Sequence, residues 1–354
     1  MGGVGRIIII ILVLVLAAAG AGYFLVPPVA ARSQTLEIQR PAQTVLARLA
    51  STPSGAVITE GVTVSGPAEA EGDTVALPVA YADGAQGRVV YTVTPAGEGA
   101  RVDVKLEQNL GANPLDRFQI ITGGAVAPLI ATAATAVETD LNALPNADFA
   151  GLQYSVVQVE ARPFFYVENC SDSSAESITS IIQQAVVAIP PVMRANNLNV
   201  NGDLMAVEPR VVSGQYCYQV GYPYTGRQPR ALLIGKTGQT PAGTALRVVY
   251  TGEEANVNHD VYDRMDALLG AAHLDNPATR EDDWVTYEVY HDDAAQTGGS
   301  RNREIFYVTQ GDISALTHLL APTEAAAPAA AAPAAAETPA AAATTTAPAP
   351  ATTP

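Results

Sequence analysis

Hydrophobic and polar positions alternate with a period of two in four runs between Ala56 and Gln108: AVITEGVTV, DTVALPVAYA, GRVVYTVT and ARVDVKLEQ, with turn residues between them. That pattern predicts a meandering antiparallel sheet. It is preceded by a short alternating strand, TLEIQ (Thr35 to Gln39), and by AQTVLARLA, where Arg40-Pro41 starts a helix with proline at its first position. It is followed by Val126, Leu129, Ile130, Val137, Leu141 and Leu144 at helical spacing. The order is strand, helix, several strands, long helix.

From residue 150 to 310 the pattern runs through one plan twice. In the first half QYSVVQV and PFFYVEN read as extended, and Ser173 with Glu176 fits a capping box. Ile178, Ile181, Ile182, Ala185, Val186 and Ile189 form one apolar stripe, which Pro190-Pro191 is expected to end. Strands follow near DLMAVEPRVV and QYCYQVGYPY. In the second half TALRVVYTG is the strand, and Val261, Met265, Leu268, Leu269 and Ala272 make the helix stripe, with Asn258 or Asp260 as cap. DWVTYEVYH and REIFYVTQ close it, and His273-Leu274 echoes Asn197-Leu198. Each half is strand, helix, strand, strand. Such a unit leaves one sheet face open, so the groove between two of them is the expected pocket. The fold class is α+β.

The ends follow other rules. Residues 7–26, IIIIILVLVLAAAGAGYFLV, are uncharged and long enough to cross a bilayer as a helix. Residues 1–32 are expected to be an uncleaved signal anchor with a transmembrane helix. A cleaved signal peptide, cut near Val29, Ala30 and Ala31, is the alternative. The expected location is the inner (cytoplasmic) membrane, single-pass, with the bulk of the chain periplasmic or otherwise extracytoplasmic. At the other end, residues 311–354 are expected to be a disordered tail. From Ala321 it is built almost wholly of Ala, Pro and Thr, with Glu324 and Glu337 its only charges, and is a candidate reach toward an envelope partner.

Charge narrows the functions. The 354 residues carry 19 basic and 35 acidic side chains, a net −16, which disfavours nucleic acid as a partner. Two cysteines and four scattered histidines (His259, His273, His291 and His318) give no zinc-like spacing. Neither a metal nor a cofactor is expected. Cys170 ends one strand region and Cys217 lies in the last strand of the same half, so outside the cytoplasm a disulfide between them is expected.

LEIQRPAQTVLARLA at the start and NPLDRFQIITGGAVAPLIATAATAVETDLNAL at the end make residues 33–147 resemble the SRPBCC (START-like, helix-grip) family. That resemblance implies a curved sheet around a long C-terminal helix. STPSGAV replaces the family's Trp-rich stretch, so a degenerate, supporting domain is expected. PFFYVENCSDSSAESITSIIQQAV, NLNVNGDLMAVEP, YTGEEANVNHDVYDRMDALLGAAHL and WVTYEVYHDD make residues 150–310 resemble the GyrI-like effector-binding domain, a duplicated SHS2-type fold. That resemblance implies a small, often cationic or amphipathic ligand, and places the family's glutamate on Glu288. One branch of the family looks hydrolytic.

Strand alternation puts Trp284, Thr286, Glu288 and Tyr290 on one face, and Val285, Tyr287, Val289 and His291 on the other. A carboxylate between an indole and a phenol favours a cation. Tyr216, Tyr218, Val220 and Tyr222 share a face of the first half's last strand, and with Tyr166 and Phe306 they are candidates for the opposite wall. Asp282-Asp283 and Asp292-Asp293 flank the Glu288 strand as turn residues that draw cations. The expected function is therefore a membrane-anchored small-molecule-binding protein. The alternatives are a hydrolase using Glu288 as general base on a water, and a structural envelope protein with a vestigial pocket.

Overall fold

The computed structural model describes residues 10–15, 17, 20, 28–110, 126–171, 174–212, 215–229, 232–274, 284–292 and 301–323. It is a mixed α+β structure dominated by two curled antiparallel sheets.

The first sheet contains β1 (Val29–Ile38), β2 (Val57–Thr59), β3 (Val62–Val64), β4 (Glu69–Glu71), β5 (Thr74–Tyr81), β6 (Gln86–Ala96) and β7 (Gly99–Asn109). Their order is β1-β7-β6-β5-β3-β2, with β4 paired to β5. Burial alternates along β5, where Val75, Leu77, Val79 and Tyr81 face inward, as period-two patterning requires. Helix α1 (Ala42–Ala50) packs on β5, β6 and β7. Pro41 is the N-cap residue of α1, one position ahead of the expected place. Helix α2 (Val126–Asn142) touches both β1 and β2, which lie at opposite ends of the strand order, so the sheet curls round the helix.

The second sheet has nine strands in the order β13-β9-β12-β11-β15-β16-β14-β8, with β10 paired to β12. They are β8 (Ser155–Val159), β9 (Pro163–Ser171), β10 (Asn199–Val200), β11 (Leu204–Val212), β12 (Gln215–Thr225), β13 (Lys236–Gln239), β14 (Gly243–Thr251), β15 (Val285–Tyr290) and β16 (Asn302–Thr309). The run β9-β12-β11 is mirrored by β14-β16-β15, so the two halves of the repeat meet where β11 pairs antiparallel with β15. The two halves therefore associate edge to edge in one continuous sheet. An open strand edge is satisfied most directly by another edge, and here the halves supply each other's.

Helix α3 (Ala175–Ala195) lies over β9 and β12, and helix α4 (Asp263–Ala271) packs in the core of the second half. Both end in the same way. Asn197 (φ 55°) and His273 (φ 57°) are the positive-φ non-glycine residues among those described. Leu198 N–H donates to Met193 O (2.9 Å) and Leu274 N–H to Leu269 O (3.0 Å), the six-to-one bond of a Schellman cap. The sequence echo is therefore a shared backbone device.

Several local expectations change. α3 continues through Pro190 and Pro191 to Ala195, and because proline has no N–H the carbonyls four residues earlier lose their helical donors. Its cap is Ser174, whose hydroxyl accepts from Ser177 N–H at 3.3 Å; Ser173 lies outside the described residues. Neither Asn258 nor Asp260 caps α4, because a π-helical turn (Asn258–Tyr262) leads straight into it. Residues 311–323 belong to the folded unit rather than to a tail: α5 (Leu316–Leu319) buries Leu316, Tyr154 Oη donates to Leu320 O at 2.7 Å, and Thr323 N–H donates to Tyr154 O at 2.6 Å. Residues 324–354 lie outside the described residues, as do those of 7–26 other than 10–15, 17 and 20.

Candidate functional site

Glu288 stands at the middle of the second sheet. It pairs with Ala206 across the seam between the halves and with Ile305 on its other side; Ala206 continues the row to Val220 and Val167. The next row on the same face runs Tyr250, Arg303, Tyr290, Leu204. Side chains of this face pack with both helices: Leu204, Ala206, Val220 and Tyr290 with α3, and Leu246, Val248, Ile305 and Tyr307 with α4.

Glu288 is buried, at 9% exposure, and it is already paired. Arg303 Nη1 donates to its Oε2 at 2.9 Å and Tyr262 Oη donates to its Oε1 at 2.5 Å. Arg303 also bridges to Glu254 and lies 5.2 Å from the centroid of the Tyr290 ring, a cation–π contact between cross-strand neighbours. The guanidinium side chain is 1% exposed, the Glu254 side chain 23%. Burial pushes the Tyr262 and Tyr290 hydroxyls well above the usual phenol range, and the Glu288 carboxylate beside them pushes the same way. Burial alone would lower the Arg303 pKa, but the two carboxylates more than offset it, so it stays protonated. Tyr250 closes the outer edge, donating to Glu253 O at 2.9 Å and reaching Asp260 Oδ2 at 3.4 Å.

Two irregularities shape this place. The π turn sets the position from which Tyr262 reaches Glu288, and π turns concentrate at functional sites. β11 carries an extra residue between Val207 and Arg210, just past the end of its pairing with β15.

The predicted residues divide between the faces. Trp284 shares the face of Glu288, packs with the α4 core and donates from Nε1 to Leu274 O at 3.2 Å. Tyr290 is buried beside Glu288. Tyr216, Tyr218, Val220 and Tyr222 alternate onto the same face; Tyr218 and Tyr222 pack against the α3 cluster, and Tyr216 sits further out, opposite Ser171. Tyr166 and Phe306 do not belong with them. Both face the other side of the sheet, where Phe306 stacks on Tyr287 (centroids 4.6 Å apart) and Tyr166 on Phe164 (5.5 Å). Strand parity decides this, because each is one residue out of step with the Glu288 row. Cys170 and Cys217 face each other across β9 and β12 and form a disulfide.

Sequence reasoning missed Arg303, Glu254 and Tyr262. Arg303 is the one basic residue of β16 and shares its strand face with Ile305 and Tyr307, which is a signal that its charge needs a buried partner. It also changes one expectation: the cation that Glu288 was expected to seek in a ligand is supplied by the protein itself, and each carboxylate oxygen accepts one hydrogen bond within the protein. Asp292 Oδ2 accepts from Arg301 and Asn302 N–H, a turn role; Asp282, Asp283 and Asp293 lie outside the described residues. Among the described residues no group of His, Cys, Asp and Glu is arranged to hold a metal.

Helix α1 docks on α4. Arg48 of α1 donates to Gly270 O at 2.6 Å and pairs with Asp140 of α2 at 2.6 Å, and His273 Nε2 lies 3.1 Å from Arg48 O. Burial lowers the His273 pKa, and the Arg48 charge lowers it further.

No protein-family model matches the sequence, and no curated protein matches it. Among solved structures, a protein bound to tetraphenylphosphonium is similar at 13% identity, over 47% of this chain and 97% of that one, with a TM-score of 0.31. The C-terminal domain of EcmrR is similar at 12% identity over 44% and 96%, with a TM-score of 0.30. A hydrolase from Listeria innocua is similar at 10% identity over 44% and 91%, with a TM-score of 0.29.

Proposed function

We propose that the chain is a membrane-anchored, envelope-facing protein that binds a small amphipathic organic molecule on the sheet face beneath α3 and α4, with the Glu288–Arg303–Glu254 cluster as the polar end of the site. The observation that carries this reading is the cluster itself. A buried ion pair under a helix layer is often no more stable than apolar residues of the same size, so retention of one at the seam of the repeat favours a role in recognition. Tyr218 and Tyr222, half-buried beside α3, would supply the apolar wall, with the buried Tyr290 and Leu204 behind them. Glu254, the least buried carboxylate of the cluster, is where a polar ligand group would arrive. Direct contact with Glu288 requires Tyr262 to swing away. Because Arg303 already compensates Glu288, the ligand needs no permanent charge.

Three features support the membrane and compartment parts. Ile10 to Val15 form a helical stretch whose side chains are 55–63% exposed, apolar surface that water disfavours. β1 begins at Val29, and Ala30 is 5% exposed in the first core, so cleavage after Ala31 would strip paired residues from the sheet. The Cys170–Cys217 disulfide fits an oxidising compartment. The first sheet, held to α4 through Arg48, serves as support.

The test is calorimetric titration of the full chain with tetraphenylphosphonium and with the uncharged triphenylphosphine oxide. Saturable binding of either, abolished by Leu204→Trp, is the expected result. Absence of binding by both leaves the cluster a structural feature and the reading fails.

A further inference from the structure

Residues 232–235, which lead into β13, lie over β9 on the helix side of the second sheet. Leu232 turns inward against the α3 cluster, and Gly235 lies so close to the Phe165 ring that a Cβ there would stand 2.5 Å from Cζ. The two residues between them turn outward: Leu233 is 105% exposed and Ile234 59%. Exposing two adjacent large aliphatic side chains is costly in water and serves no packing purpose among the described residues. Val187 of α3 (70%) and Val200 of β10 (46%) are also exposed.

The charge around the tip is equally unusual. From Pro223 to Thr244 the sequence holds three basic residues and no acidic one, in a chain whose net charge is −16. Arg227, exposed, and Lys236, which also pairs with Glu168, bracket the tip in the structure, and Arg230 lies between them in the sequence. An aliphatic tip flanked by cations is the arrangement that enters the interfacial zone of an anionic bilayer: the side chains pass the headgroups and the basic groups stay among the phosphates. The acidic remainder of the protein would be repelled by the same surface.

We propose that the strap, with Leu233 and Ile234 at its tip, is a second membrane contact that seats the folded unit on an anionic lipid surface. It relies on the anchor reading only to bring the chain to a bilayer.

Both cysteines are in the disulfide, so Leu233→Cys supplies a single thiol for an environment-sensitive nitrobenzoxadiazole label, with Val57→Cys, 69% exposed on the first sheet, as reference. The full chain is reconstituted in phosphatidylcholine vesicles with and without phosphatidylglycerol. The label at 233 is expected to brighten several-fold over that at 57 and to be quenched by doxyl lipid. The gain should depend on phosphatidylglycerol and be lost in Arg227→Glu with Lys236→Glu. Equal brightness at the two positions overturns the proposal. So does brightening that follows the protein-to-lipid ratio instead of phosphatidylglycerol, which marks a second copy of the chain as the occupant. Carbonate extraction of the same vesicles reads the anchor separately: a chain that extracts but is still quenched at 233 defeats the anchor and keeps the strap.

Discussion

Replacing Arg303 by methionine keeps the length of the side chain and removes the one cation among Glu288, Glu254 and the rings of Tyr290 and Tyr262. The Arg303 side chain is 1% exposed and that of Glu288 12%, so water cannot take over the solvation that the guanidinium provided. Breaking a buried pair from one side costs about 3–5 kcal/mol, against about 0–1 kcal/mol for a surface pair. The expected loss lies in the upper range. Trp284, the only tryptophan, donates to Leu274 O beside the start of β15, so its fluorescence follows unfolding of this region in urea. Adding Glu288→Gln removes the uncompensated charge and should restore most of the stability. A loss below about 1 kcal/mol for Arg303→Met, or one that Glu288→Gln does not relieve, would refute the reasoning.

Other consequences follow from single contacts. Reducing Cys170–Cys217, 47 residues apart, should lower stability by about 4 kcal/mol by the chain-entropy relation, read as a shift of the urea midpoint. Asn197 sits at φ 55°, so Asn197→Ala should cost about 1 kcal/mol and Asn197→Gly little or nothing in the same assay. His273 is held neutral by burial and by Arg48, so the unfolded chain takes up its proton first, and this residue's contribution should be lost as the pH drops from about 7 to about 5; His273→Asn should flatten that slope. Arg48→Met removes the bonds to Asp140 and Gly270 O, and should make the junction between the sheets more sensitive to limited proteolysis at a cost of about 1.5–3 kcal/mol.

Much of the architecture was legible because period and punctuation are local. The alternating runs became β2, β3, β5, β6 and β7, and the duplicated strand-helix-strand-strand plan became two halves with matched αL caps at Asn197 and His273. The face on which Glu288 lies was also legible, since parity within one strand needs no partner. The same parity rule could not say which face of β9 or β16 joined it. That is how Tyr166 and Phe306 came to be grouped with Glu288, when the cross-strand register puts them on the far side.

The sequence by itself determined the elements, the repeat, the apolar stretch at residues 7–26 and a carboxylate among aromatic rings, because each depends on neighbours within a few positions. Only the tertiary structure decided that the halves join edge to edge through β11 and β15, and that α3 runs on past two prolines. It also decided that Arg303, from a strand 15 residues further along, meets Glu288 and Glu254. The physical reason is desolvation. A charge is penalised for leaving water only once the fold has closed over it, so which opposite charge compensates it is fixed by register and packing across the sheet rather than by spacing along the chain.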